Sequence, residues 1–228
     1  MWRKNKYDYY DDDEDDYYWK ADENKIKRDF MNYANLKTKK IDQDGMEKMG
    51  KTLGIDIYTD IFITYFFFRC GCKSMEEVTE NEYITGLKYF KCNDLNELKA
   101  RILHVRETLL DLYSKEFKEF YNFLFKFNCG KGKILSFEVV EVYFNNLFSD
   151  QFPIVKHFIL FLKDVKKSKG LNKDQWECFL DFLLNQGVSF PKDYKCEDYY
   201  PLIIDEFYNW YCDINHIPKN KNENDEDS

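Results

Sequence analysis

The sequence predicts an all-α protein. Two apolar stripes at helical spacing carry that prediction, and the scarcity of helix breakers supports it. Phe117, Phe120, Tyr121, Leu124 and Phe127 recur at i, i+3, i+4, i+7 and i+10, which puts all five on one face of a helix. Trp176, Phe179, Leu180, Leu183 and Leu184 repeat the pattern. Among 228 residues there are only 9 glycines and 4 prolines, which disfavours a turn-rich sandwich or barrel.

The chain opens on a Tyr/Asp tract, residues 1–23, with six consecutive acids at Asp11–Asp16. Self-repulsion predicts a disordered tail there. A helical domain is expected over 24–217, and a polar, charged, disordered tail over 218–228. Inside the domain, start signals mark several helices. Thr79 with Glu82, Asp94 with Glu97 and Asn172 with Gln175 have capping-box spacing. Pro153, Pro191 and Pro201 fit helix starts or loops.

Two segments read as loops between helices, each with a short apolar β-like position: Lys39–Gly45 and Glu77–Glu82. They invite an EF-hand reading, in which calcium takes oxygens from loop positions 1, 3, 5, 7, 9 and 12. With Gly45 at position 6, Asp42 and Asp44 fall at 3 and 5, but Lys40 falls at 1 and Lys51 at 12. Two ammonium groups replace two carboxylates. The second loop places Glu82 at 12 but Gly71, Lys73 and Met75 at 1, 3 and 5. Neither loop assembles a normal calcium site, so no metal and no cofactor are expected. The loop geometry reads as EF-hand-like, held by the short β contact, with the calcium chemistry gone.

Composition narrows the function classes. A net charge of −8 argues against nucleic acid, whose phosphates need a basic footprint, and suits a basic protein partner. MWRKNKYDYY lacks the apolar core of a signal peptide. No stretch approaches the ~18 apolar residues of a membrane span, so no membrane partner is expected. Seven scattered cysteines without a secretory signal read as reduced thiols, placing the chain in the cytoplasm or nucleus. His104, His157 and His216 lie far apart, and no nucleophile motif accompanies them.

The ordered motifs are more specific. Lys40-Ile41-x-x-Asp44-Gly45 precedes Phe68-Arg69-Cys70 and Thr79-Glu80-Asn81-Glu82-Tyr83-Ile84-x-Gly86. Cys92-Asn93-x-Leu95-x-Glu97-Leu98 follows, then Tyr143-Phe144-Asn145. The close is Lys173-Asp174-x-Trp176, Leu180-Asp181-Phe182 and Tyr200-Pro201-x-Ile203-Ile204-Asp205-Glu206-Phe207. In order and spacing this resembles the potentiating-neddylation domain of the defective-in-cullin-neddylation family, over about 24–211.

The resemblance implies an all-α, compact helical domain with two degenerate EF-hand-like halves, acting as a non-catalytic, monomeric adaptor. One surface would bind the winged-helix end of a cullin. A separate pocket would take the N-acetylated methionine of the neddylation conjugating enzyme. The ubiquitin-like modifier itself is a third candidate partner. The implied cullin patch falls on Asp174, Tyr199 and Asp205, with Tyr199 where the family has alanine. The implied pocket falls on Met46, Ile61, Thr64, Tyr65, Phe68, Met75 and Val78 from the first half, and on Phe127, Tyr143, Asn146 and Leu147 from the second. Asn146 stands where the family is apolar. Read without the resemblance, the apolar members are ordinary core and the two aspartates a helix-dipole and a surface residue. Three alternatives stay open at this stage: a helical interaction scaffold with no neddylation role, a calcium sensor, and a helical hydrolase for which no motif speaks.

Overall fold

A computed structural model describes residues 19–109, 111–130, 132–196 and 199–219. The acidic run Asp11–Asp16 lies outside the described residues, as does 220–228. Among the described residues the chain is all-α, with ten α-helices and one two-stranded sheet. The first half contains α1 (Glu23–Tyr33), α2 (Gln43–Leu53), α3 (Ile61–Cys70), α4 (Glu80–Tyr89) and α5 (Leu95–Leu109). The second contains α6 (Lys115–Cys129), β1 (Ile134–Ser136), α7 (Phe137–Leu147), α8 (Ile154–Leu160), β2 (Gly170–Asn172), α9 (Lys173–Gln186) and α10 (Leu202–Asn215). A widened turn of helix, Phe161–Val165, extends α8. None of the helices is long and apolar enough to cross a membrane.

Helix starts follow local chemistry. Asp22, Asp42, Asp60 and Ser114 each accept a backbone N–H of the first turn that follows them, satisfying donors that the helix cannot. Thr79–Glu82 and Asn172–Gln175 form complete capping boxes, as their spacing predicts. Asp94 accepts from Glu97 N at 2.8 Å and opens α5. Pro153 and Pro201 stand immediately before α8 and α10.

The two apolar loop positions meet. Ile41 and Val78 exchange backbone hydrogen bonds of 2.8 Å, joining the loops that lead into α2 and α4. Lys40 pairs with Glu77 beside this bridge. Asp42 is taken up by Gly45 N and by the Asn35 amide, 2.7 Å away. The second half joins its loops in the same manner but over three residues, with Leu135 opposite Leu171 in an antiparallel ladder. Gly170 sits there at φ 144, and a Cβ would fall 1.8 Å from Leu135 O. Only glycine fits that approach.

Both predicted stripes face inward. Phe117, Phe120, Tyr121, Leu124 and Phe127 are buried, as are Trp176, Phe179, Leu180 and Leu183, with Leu184 half-buried. Trp176 stacks on Tyr121 at 4.3 Å, and the two exchange side-chain-to-backbone hydrogen bonds. Phe144, Phe179 and Phe158 continue the stack at 5.3, 4.3 and 4.4 Å. Helix α3 joins the halves, packing on α4 and α5 on one side and on α6 and α7 on the other.

Candidate functional site

Two surface regions collect the residues singled out by sequence. The first lies along α9 and the loop into α10. Asp174 is exposed in the first turn of α9, 3.9 Å from the Cys178 thiol one turn on. Burial raises the Tyr200 phenol, a hydrogen bond from Asn185 opposes it, and Tyr199, Asp181 and Cys178 add smaller upward contributions. Tyr200 stacks on Tyr194 at 6.2 Å, and Tyr194 donates its hydroxyl to Asp205 at 2.7 Å. Tyr194 and Tyr200 both pack on Phe182 of α9, at 5.9 Å each, which brings Asp205 against the helix that carries Asp174 and defines an Asp174–Asp205 strip.

Asp205 is half-buried and already engaged. Burial pushes the Tyr194 phenol well above its ordinary range, and its bond to the Asp205 carboxylate pushes it further. Burial and the same carboxylate raise the Cys196 thiol to about 11. Tyr199 is different. It is 74% exposed and meets Tyr200 edge to face at 4.9 Å. A hollow of about 520 Å³ opens beside it, lined by Asn185, Gln186, Asp193, Tyr194, Lys195, Tyr199 and Tyr200.

The second region lies where α3 meets α7. Burial raises the Tyr143 phenol, while hydrogen bonds from Thr64 and Asn128 act in the opposite direction. The Asn128 amide donates to it at 2.8 Å. Ile61, Asn146 and Leu147 line a hollow of about 340 Å³, together with Asp56, Thr59, Asp60 and Arg106. Asp60 caps α3 and pairs with Arg106. The Asn146 amide donates to Val142 O in its own helix.

Five of the eleven predicted pocket residues thus come together at this junction: Ile61, Thr64, Tyr143, Asn146 and Leu147. The others sit deeper or elsewhere. Phe127 packs on Phe67 at 6.0 Å and Phe123 at 4.7 Å. Phe68 meets Phe120 and Phe123. Tyr65 is buried, and its hydroxyl joins the Arg69–Glu116 pair that ties α3 to α6. Met46 and Val78 are fully buried in the first half, and Met75 packs partly buried against the core. Sequence reasoning missed Asp56, Thr59, Asp60 and Arg106. Asp60 carried a signal, an N-cap residue before the apolar run Ile61–Phe68. Arg106 carried none.

A family model described as cullin binding matches residues 97–210, half of the chain. The chain belongs to the cullin-binding family. The matched stretch of this family contains Asp174, Tyr199 and Asp205, and also Phe127, Tyr143, Asn146 and Leu147. Curated relatives agree. DCN1-like protein 4 of Drosophila melanogaster is 24% identical over 168 residues, covering 73% of this chain and 66% of the relative. Human DCN1-like protein 4 is 27% identical over 173 residues, covering 75% and 57%. DCN1-like protein 2 of Dictyostelium discoideum is 27% identical over 141 residues, covering 61% and 52%. The chain spans just over half to two thirds of the length of these relatives. Family membership confirms the resemblance read from the motifs.

Proposed function

We propose that this protein promotes cullin neddylation as a non-catalytic adaptor. It would hold a cullin winged-helix domain on the Asp174–Asp205 strip and the acetylated N-terminus of the conjugating enzyme at the α3–α7 junction. The observation that carries the reading is the cullin-binding match over 97–210, which takes in the Asp174–Asp205 strip and the α7 side of the junction. The cullin strip is acidic at Asp174 and Asp205, with Asp181 paired to Lys118 at 3.5 Å, which suits basic groups through charge-assisted hydrogen bonds. The junction offers apolar walls from Ile61 and Leu147 beside polar groups. A free N-terminus would carry an ammonium into that mixed environment, whereas an acetylated one carries a neutral amide that needs only hydrogen bonds. Methionine, flexible and polarizable, fits an irregular apolar slot.

On this reading the bond-making belongs to the conjugating enzyme's thioester and the cullin's lysine. The adaptor contributes geometry, because holding both partners raises the effective concentration of one near the other. Calorimetry against the conjugating enzyme's N-terminal peptide, acetylated and free, tests the junction. The acetylated peptide should bind and the free one should not. Binding should be lost in a Tyr143→Ala protein that still melts cooperatively. Failure of both peptides to bind would overturn the reading at this site.

A further inference from the structure

The hollow beside Tyr199 has a chemistry of its own. Gln186 Oε1 is buried and meets no hydrogen-bond donor among the described residues. A buried acceptor left unmade costs free energy, so a ligand that supplies a donor there gains by it. Asp193 adds a carboxylate to the lining, and Lys195 adds a single opposing charge. Asp181 on α9 is paired with Lys118 at 3.5 Å, and Asp205 stands behind Tyr194. With Asp181 answered by Lys118, the carboxylates of Asp193 and Asp205 still outnumber the Lys195 ammonium, and the field favours a cation. Most of the Tyr199 ring is uncovered, and Tyr200 lies against it.

We infer that this hollow receives an arginine side chain from the protein that docks on the Asp174–Asp205 strip. This rests on the docking reading given above and names the group that the partner inserts. A guanidinium is planar and carries five N–H donors in a fixed fork. One edge reaches Gln186 Oε1 and another reaches Asp193, while the plane lies on a tyrosine face. A lysine ammonium, compact and strongly hydrated, cannot meet the ring and both acceptors in this way. Tyr199 then has a positive role. Where a small residue would let a partner approach closely, the tyrosine forms one wall of a slot, and the contact shifts from a flat patch into the hollow.

Nuclear magnetic resonance titration of the full chain tests this with three probes: N-acetyl-arginine methylamide, its lysine counterpart and its neutral citrulline counterpart. The Gln186 side-chain amide and the Tyr199 and Tyr200 backbone amides are the reporters. The arginine probe should shift them saturably, and the other two should bind about tenfold more weakly. Gln186→Leu should reduce arginine binding about fivefold, and Gln186→Glu, which places a full negative charge there, should strengthen it. Equal responses to arginine and citrulline, or to arginine and lysine, would overturn the assignment. So would responses untouched by both Gln186 variants. A parallel titration with a cullin winged-helix domain separates the two readings. A chain that takes the arginine probe but not the domain keeps the hollow and loses the docking strip. A chain that binds the domain equally well as Gln186→Leu keeps the strip and loses the hollow.

Discussion

The two halves solve the same problem with a different balance of forces. Each must join two loops and cover one helix pair with another. The first half does so with a single bridge, Ile41 to Val78, and a set of polar clamps. Asp29, buried on α1, accepts from the Tyr83 hydroxyl at 2.6 Å and from Leu95 N at 3.0 Å, tying three helices through one carboxylate. Lys25 reaches across to Asp94 at 2.8 Å and Glu97 at 2.6 Å. The second half uses a three-residue ladder and a continuous aromatic stack through Tyr121, Trp176, Phe144, Phe179 and Phe158. Stacked rings are tolerant of drift but depend on volume, while clamps depend on protonation and on single atoms. The stack underlies α9, so the packing beneath the proposed cullin strip does not depend on protonation, whereas the Tyr194–Asp205 bond within the strip does.

The sharpest break in this comparison is Trp176→Ala. Trp176 is fully buried at the centre of the stack, and its indole N–H donates to Tyr121 O. Its removal should cost about 4 kcal/mol by denaturant unfolding, the upper part of the range for large-to-small core changes. A loss below ~1 kcal/mol would mean that the stack does not organise this half. Asp29→Ala comes next. It strands a buried phenol and the first amide of α5, and should cost ~2–3 kcal/mol in the same assay. Hydrogen exchange should show the loss concentrated at α4 and the start of α5, with α9 protected as before.

The smallest effect concerns Lys25. Burial alone would raise Asp94 and Glu97, yet the Lys25 ammonium and backbone amides outweigh it and hold both carboxyls below their ordinary range. Groups depressed in the folded state stabilise it above the unfolded pKa of about 4, and that contribution fades as pH falls through the folded value. Thermal melts of wild type and Lys25→Met should therefore differ near neutral pH and converge below about pH 3. A gap that persists in acid would assign the effect to the lysine's aliphatic stem. Cys92, whose thiol burial pushes up to about 12, should stay unreactive to alkylation in both proteins until they unfold.

Much of this was legible because it is local. Capping boxes at Thr79 and Asn172 and the stripes at 117–127 and 176–184 depend on residues three or four apart, and a sequence displays those directly. The strands β1 and β2 were not legible. Three residues carry no measurable alternation, and Ser136 finds its partner 34 residues away at Gly170. The clamp at Asp29 was hidden for the same reason, since its donors stand 54 and 66 residues off. At the candidate sites, the departures Tyr199 and Asn146 could be read from motif alignment. The hollows around them could not, because Gln186 and Asp193 meet Tyr199 only after the chain reverses, and Arg106 reaches Asp60 from another helix.

The most direct test of the adaptor reading is a reconstituted transfer of the modifier from its conjugating enzyme to a cullin, with and without this protein. The account predicts a faster transfer with the protein present. It also predicts loss of the acceleration in Asp174→Arg, whose exposed site leaves folding intact, and in Leu147→Asp at the α3–α7 junction. An unchanged rate at saturating protein would contradict the account, and so would acceleration that survives both substitutions.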